Sequence, residues 1–129
     1  MALRDAIYSR LSNYSALTSL VSTRIYSKEI TQDTAKPCVY FEVNGIERVS
    51  AINGDSGMCE AQCRVISIAS TLSGAVAVAT QVQAALQRYS GTVSSTDIRN
   101  IMIENEFDSY DSDLDESNVE QYFTVSYIE

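Results

Sequence analysis

The sequence predicts an α+β domain, an antiparallel four-stranded sheet with helices packed on one face, in the order α-α-β-β-α-β-β. Three observations carry that expectation. Apolar residues recur at helical spacing at the N-terminus and again between Leu72 and Tyr89. Pairs of strand-like segments precede and follow the second stripe. The 129 residues, 45% hydrophobic and 20% charged, make one domain spanning 1–129.

The elements follow in order. Leu3, Ile7, Leu11 and Tyr14 form one helical stripe, and Leu17, Leu20 and Val21 a second short one after Ser15 as a cap, which predicts a broken helical hairpin. The chain turns polar from Thr31 to Lys36. Pro37 then forces extended backbone on the residue before it, and Cys38 to Val43 is rich in strand formers, so a first strand follows Pro37. Asn44-Gly45 and Asn53-Gly54 are turn dipeptides, and from Met58 to Ser67 the residues Cys59, Ala61, Cys63 and Val65 alternate with Glu60, Gln62 and Arg64 in a second strand. Ala75, Val78, Ala79, Val82, Ala85, Leu86 and Tyr89 lie in a stripe about 120° wide, giving a helix from about Leu72 to Tyr89 that Ser90-Gly91 ends. Ile101 and Ile103 mark a third strand; Val119, Phe123, Val125 and Tyr127 mark a fourth. Between these two runs a solvated acidic connector. No internal repeat or linker interrupts the chain.

Charge and composition narrow the function. Nine Lys+Arg against 17 Asp+Glu give a net charge of −8, the wrong sign for affinity built on neutralising phosphates. The absence of histidine removes the side chain most used for proton transfer near neutral pH and the commonest nitrogen ligand for zinc. No run approaches the roughly 20 apolar residues of a membrane span, and the N-terminus is amphipathic with mixed charge, unlike a signal peptide, so no membrane partner is expected. Cys38, Cys59 and Cys63 are an odd set. If Cys59 and Cys63 share a strand they sit about 13 Å apart, beyond disulfide reach. They read as small buried apolar residues in a reducing compartment.

Three constellations resemble chemistry and lack its essential parts. Gly54-Asp55-Ser56-Gly57 is similar to the nucleophile segment of trypsin-like proteases, but the imidazole that would take the serine proton is missing, and the segment reads as a turn. Asp111-x-Asp113-x-Asp115 opens like a calcium loop. Its sixth position is Glu116 where glycine is needed, however, and its twelfth is Tyr122 where a bidentate glutamate is needed, so no metal site is expected. Eight tyrosines lack the positive path that single-stranded nucleic acid requires. No catalytic residue, cofactor or metal is expected, and the protein reads as a non-enzyme.

One further feature points outward. The back of the 72–89 helix carries Ala77, Thr80, Gln81, Gln83, Ala84 and Gln87, with Arg88 as its one charge, whereas solvated helix faces usually carry more. Thr80, Gln83 and Gln87 are therefore candidate contacts to a neighbouring subunit. The polar segments 27–36, 46–57 and 108–118 are candidate recognition loops, with Glu47, Arg48, Asp55, Asp108, Asp111, Asp113 and Asp115 as their contact residues.

Leu20-Val21-Ser22-Thr23-Arg24-Ile25-Tyr26, Gln32, Pro37-Cys38-Val39-Tyr40-Phe41, Gln62-Cys63-Arg64-Val65, the Ala-rich helix to Leu86 and Tyr122-Phe123-Thr124-Val125 together carry a resemblance over about residues 1–128. In these the chain resembles the tail terminator or tail-completion (tail-to-head joining) family of long-tailed bacteriophages. Two departures are visible: Ser22-Thr23 stands where a glycine is often expected, and Arg64 where an acidic residue is frequent. The resemblance implies a structural virion protein, assembled in the host cytoplasm, that forms a homo-hexameric ring on the head-proximal end of the tail. It implies as partners the tail tube protein, whose polymerisation the ring ends, and the head connector or stopper protein. DNA would pass through the lumen without specific binding, which suits an acidic wall. Two other readings stay open at this point: another neck component (connector or stopper), and an acidic inhibitor that mimics nucleic acid.

Overall fold

The computed structural model describes residues 2–27, 36–51, 54–93, 96–112 and 116–128, with backbone only for 2, 46–51 and 54–57. Three helices, α1 (Ala2–Ser12), α2 (Ser15–Val21) and α3 (Leu72–Leu86), accompany six strands: β1 (Ile25–Tyr26), β2 (Cys38–Ala51), β3 (Gly54–Ala69), β4 (Gly91–Val93), β5 (Thr96–Asp111) and β6 (Glu116–Ile128). The strands form one mixed sheet in the order β1-β2-β3-β6-β5-β4, curled into a half-barrel. β1 runs parallel to β2, and every other pair is antiparallel.

This overturns the expected four-stranded antiparallel sheet. The additions at the two edges are two and three residues long, too short to show any hydrophobic period. They form because their neighbours offer unpaired edges. β1 pairs Ile25 with Val39, and β4 pairs Gly91 with Ile98.

The expected connectors are corrected as well. Asn44-Gly45 makes no turn. Gly45 has φ 61 where the β2–β3 register shifts between Asn44 and Ile46, a bulge that glycine accommodates without steric cost. The 46–57 segment continues both strands of a hairpin, up to the pair Ala51 and Gly54, and so takes the expected Gly54–Gly57 turn into β3. The 108–118 segment belongs to β5 as far as Asp111 and to β6 from Glu116, so the solvated connector is largely a strand pair. Residues 28–35 of the first expected loop lie outside the described residues. Tyr14, with no side-chain cap bond, holds the N-cap position of α2 that Ser15 was expected to fill.

Alternation builds the core. The odd-numbered residues of β6 are all buried, and the even-numbered ones half-buried. The buried set, including Gln121, Phe123, Val125 and Tyr127, shares the helix-covered face of the sheet with Phe41, Cys63, Val65, Ile98 and Ile101. Leu3, Ile7 and Leu11 of α1, Leu17 and Val21 of α2, and Val78, Val82, Ala85 and Leu86 of α3 close over that face. Thr71 caps α3 by accepting a hydrogen bond from the Gly74 amide at 3.1 Å, a contact worth about 1 kcal/mol. Arg10 ties α1 to the far end of α3: its Nε donates to the Ala85 carbonyl at 2.8 Å, and its guanidinium stacks 4.1 Å from the Tyr89 ring centroid and 5.4 Å from that of Tyr14. All three cysteines are buried and outside any disulfide, and burial pushes the Cys63 thiol up to about 12, so Cys63 behaves as an apolar filler.

Candidate functional site

α3 ends at Leu86, three residues short of the expected Tyr89, because the chain turns there to grip β5. Gln87 leaves helical geometry and its Oε1 accepts from the Ile103 amide at 2.7 Å. Arg88, at φ 60, donates its amide to the Ile101 carbonyl at 2.6 Å. Gln87, expected on an interaction surface, is thus a fastener between helix and sheet. The anchorage stops at Ile103. After a bulge between Ile103 and Asn105, β5 continues to Asp111 with every side chain from Glu104 to Tyr110 exposed.

In that outer stretch the register decides which side chains meet the helix. Glu106 pairs with Gln121, Asp108 with Val119 and Tyr110 with Ser117, so Glu106, Asp108 and Tyr110 share the helix side, as those β6 partners do. The outward side of α3 brings Val76, Thr80 and Gln83 toward them. Together with Ala79 and Val119 these residues enclose a cleft of about 310 Å³ with Glu106 and Asp108 on its sheet wall. A second hollow of about 360 Å³ adjoins it, sharing Asp108 and lined by Leu72, Ser109, Tyr110 and Ser117. Apolar surface frames both: Tyr110 is 59% exposed, and Leu72 and Val76 are exposed too. On the opposite side of the hairpin Phe107 packs edge-on against Tyr122 at 5.9 Å between centroids.

Gln121 anchors the cleft from behind. Fully buried, it donates through Nε2 to the Ala79 carbonyl at 3.1 Å and to Glu106 Oε1 at 3.0 Å, while its own Oε1 has no hydrogen-bond partner. The Thr80 hydroxyl is turned to the Val76 carbonyl at 2.8 Å. The polar groups this leaves toward the cleft are mostly acceptors, which suits a donor-rich cation on an aliphatic stem.

Of the ten contact residues expected from sequence, the structure brings Thr80, Gln83 and Asp108 into this one cleft. Asp111 pairs with Glu116 at the end of β5, outside the lining. Glu47, Arg48 and Asp55 lie on the β2–β3 hairpin, separated from β5 by β6, and their side chains are outside the description. Asp113 and Asp115 fall outside the described residues. Sequence reasoning missed Glu106 and Gln121. A signal for Gln121 existed, since it interrupts the apolar alternation of Val119, Phe123, Val125 and Tyr127 at a core position.

The helix-free face carries a second polar arrangement. Arg64 on β3 bridges Glu42 on β2 at 3.0 Å and Glu120 on β6 at 3.0 Å, while Tyr40 and Tyr122 donate their hydroxyls to the same two carboxylates. The hydrogen bond from Arg64 holds the Glu42 carboxyl below the usual range, with Asn44 and Tyr40 adding to the effect against partial burial. The strap thus holds the Arg64 cation between two acids. Among the described residues no group of three His, Cys, Asp or Glu could hold a metal ion.

The family model described as tail completion protein gp17 matches residues 5–127. The chain belongs to that family. Its members are structural proteins of the phage tail and virion, and that role extends to this chain. Among solved structures, a chain of the virion of a native gene transfer agent (GTA) particle superposes with a TM-score of 0.84 at 18% identity, covering 99% of this chain and 96% of that one, so the two share a fold. No curated protein matches the sequence. At Ser22, which closes α2, the backbone takes φ 55 and ψ −123, a conformation that favours glycine.

Proposed function

We propose that the protein forms a homo-hexameric ring on the head-proximal end of the tail tube, ends tube polymerisation there and presents a docking surface to the head connector or stopper. Membership of the tail-completion family over residues 5–127 is the observation that carries this reading. The fold supports it physically. Head-to-tail contacts between unlike patches close into rings, and the uncharged outer side of α3, with Val76 and Leu72 exposed, is a surface for a neighbouring copy. The exposed acids of β5 stand along a free edge of the sheet, where tube or connector would meet them. DNA sliding through the lumen meets like charge rather than a basic wall that would hold it.

The same acids set the assembly threshold. Carboxylates brought together around a ring repel by about 1 kcal/mol per pair at short range in water, so free copies stay weakly associated until they dock on a tube end. Sedimentation of the purified chain at low salt, high salt and millimolar magnesium tests this gate, with association rising as charge is screened; indifference to ions rules it out. Micrographs of particles lacking the protein test the wider function. Tubes of irregular length without heads are expected, and tubes of normal length joined to heads refute termination.

A further inference from the structure

We propose that the outer edge of β5, from Glu104 to Ser109, receives an extended basic segment of a different protein, added as a further strand with its arginines over the Glu106–Asp108 cleft. On the outer side β4 covers Thr96–Ile98, and Arg88 and Gln87 occupy Ile101 and Ile103; beyond that, no strand among the described residues pairs with β5. The outer ladder positions can be counted forward. Ile101 and Ile103 direct their backbone groups away from β6, and the bulge after Ile103 shifts the phase by one, so Glu106 and Asp108 are the next to present amide and carbonyl outward. Their side chains face the cleft. A strand laid on this edge therefore places one residue opposite each of them on the same side, two apart in its own sequence, and the residue between those two beside Phe107.

The chemistry of those positions is fixed by what faces them. Opposite Glu106 and Asp108 the partner needs cations with several donors, because two carboxylates face it from the sheet wall of the cleft. Val76, Ala79 and Val119 give an arginine's aliphatic stem an apolar bed. Next to Phe107 the partner needs an apolar residue. Charge complementarity also excludes a second copy as the occupant. Residues 97–129 hold ten of the 17 acids but one of the nine bases, and nowhere in this sequence do two bases stand two residues apart. Of its described cations, Arg10, Arg24, Lys36, Arg64 and Arg99 are already engaged within the fold. The inference rests on reading the cleft as a contact surface, and a chain that forms no ring would still show it. The neighbouring copy assigned to α3 would meet the helix rim of the same cleft at Val76 and of its adjoining hollow at Leu72, whereas the added strand takes the sheet side along the β5 edge.

The test is a titration of the full chain, isotope-labelled, with the peptide acetyl-Arg-Val-Arg-Val-Arg-Val-amide at low salt. Shifts and new hydrogen-exchange protection are expected at the Glu106 and Asp108 amides, with Kd rising at least tenfold in an E106Q/D108N variant and binding lost for a peptide with Glu in place of Arg. A peptide N-methylated at alternate residues on its pairing edge separates strand addition from simple charge attraction, and should bind at least tenfold more weakly. Equal affinity for the double variant, equal binding of the N-methylated peptide, or shifts confined to other elements overturns the proposal. Protection of the Glu106 and Asp108 amides by concentration alone, without peptide, overturns it in favour of a second copy.

Discussion

The two halves of β5 live in different surroundings although one strand carries both. From Thr96 to Ile103 the strand lies under α1 and α3, fastened along its outer edge, with Thr96, Ile98 and Ile101 buried. From Glu104 to Tyr110 it is paired along one edge only, with β6, which β3 backs in turn, and its side chains are exposed on both faces. The inner half supplies stability. The outer half spends some of that stability to hold acids, Phe107 and Tyr110 where another molecule can reach them, and this division is what substitutions can break or sharpen.

The largest effect belongs to the inner half. Ile101→Ala removes a fully buried side chain and should cost about 2–5 kcal/mol in urea unfolding, and a loss below 1 kcal/mol would mean that the inner half is not the stabilising one. Gln121→Ala acts at the boundary, where it breaks both donated hydrogen bonds, and should cost about 1–3 kcal/mol while loosening Glu106. Ser22→Gly, remote from the hairpin, should raise stability by about 1 kcal/mol by relieving its φ of 55, without changing any binding measured at the cleft.

The Arg64 strap gives a pH test on the other face. Because the folded Glu42 carboxyl is held below its ordinary value, its contribution is complete above the unfolded glutamate pKa and disappears as pH falls through the folded one. Glu42→Gln should therefore lower stability by about 0.5 kcal/mol at pH 7, and the gap from the unsubstituted protein should close below pH 4 or so, as read from urea midpoints at several pH values. Smallest of all, Phe107→Ala should change unfolding by less than about 0.5 kcal/mol while weakening peptide binding at the β5 edge. A large stability loss there would erase the contrast between the halves.

The same contrast governs how much was legible in the sequence. Ala75, Val78, Ala79, Val82, Ala85 and Leu86 announce α3 because burial of one face leaves a helical period, and all six are buried. Thr80 and Gln83 were readable from the lack of charge behind that stripe. The outer half of β5 was not, since a strand exposed on both faces has no hydrophobic alternation to display, and its acids read as a solvated connector. β1 and β4 escaped because pairing with a neighbour's edge, not any pattern of their own, makes them strands. Glu106 joins the cleft only through the bulge after Ile103, a one-residue shift of phase that no local propensity encodes.

The place of β6 in the sheet has a consequence for how the molecule is made. β6 follows the other five strands in the chain yet lies between β3 and β5, pairing Cys63 with Phe123 on one side and Ile103 with the same residue on the other. Until it arrives, the two halves of the sheet have no common member and the underside of the helices lacks its floor. A chain cut short before Phe123 is thus no slightly weaker building block but an unfinished one, its sheet in two unjoined pieces.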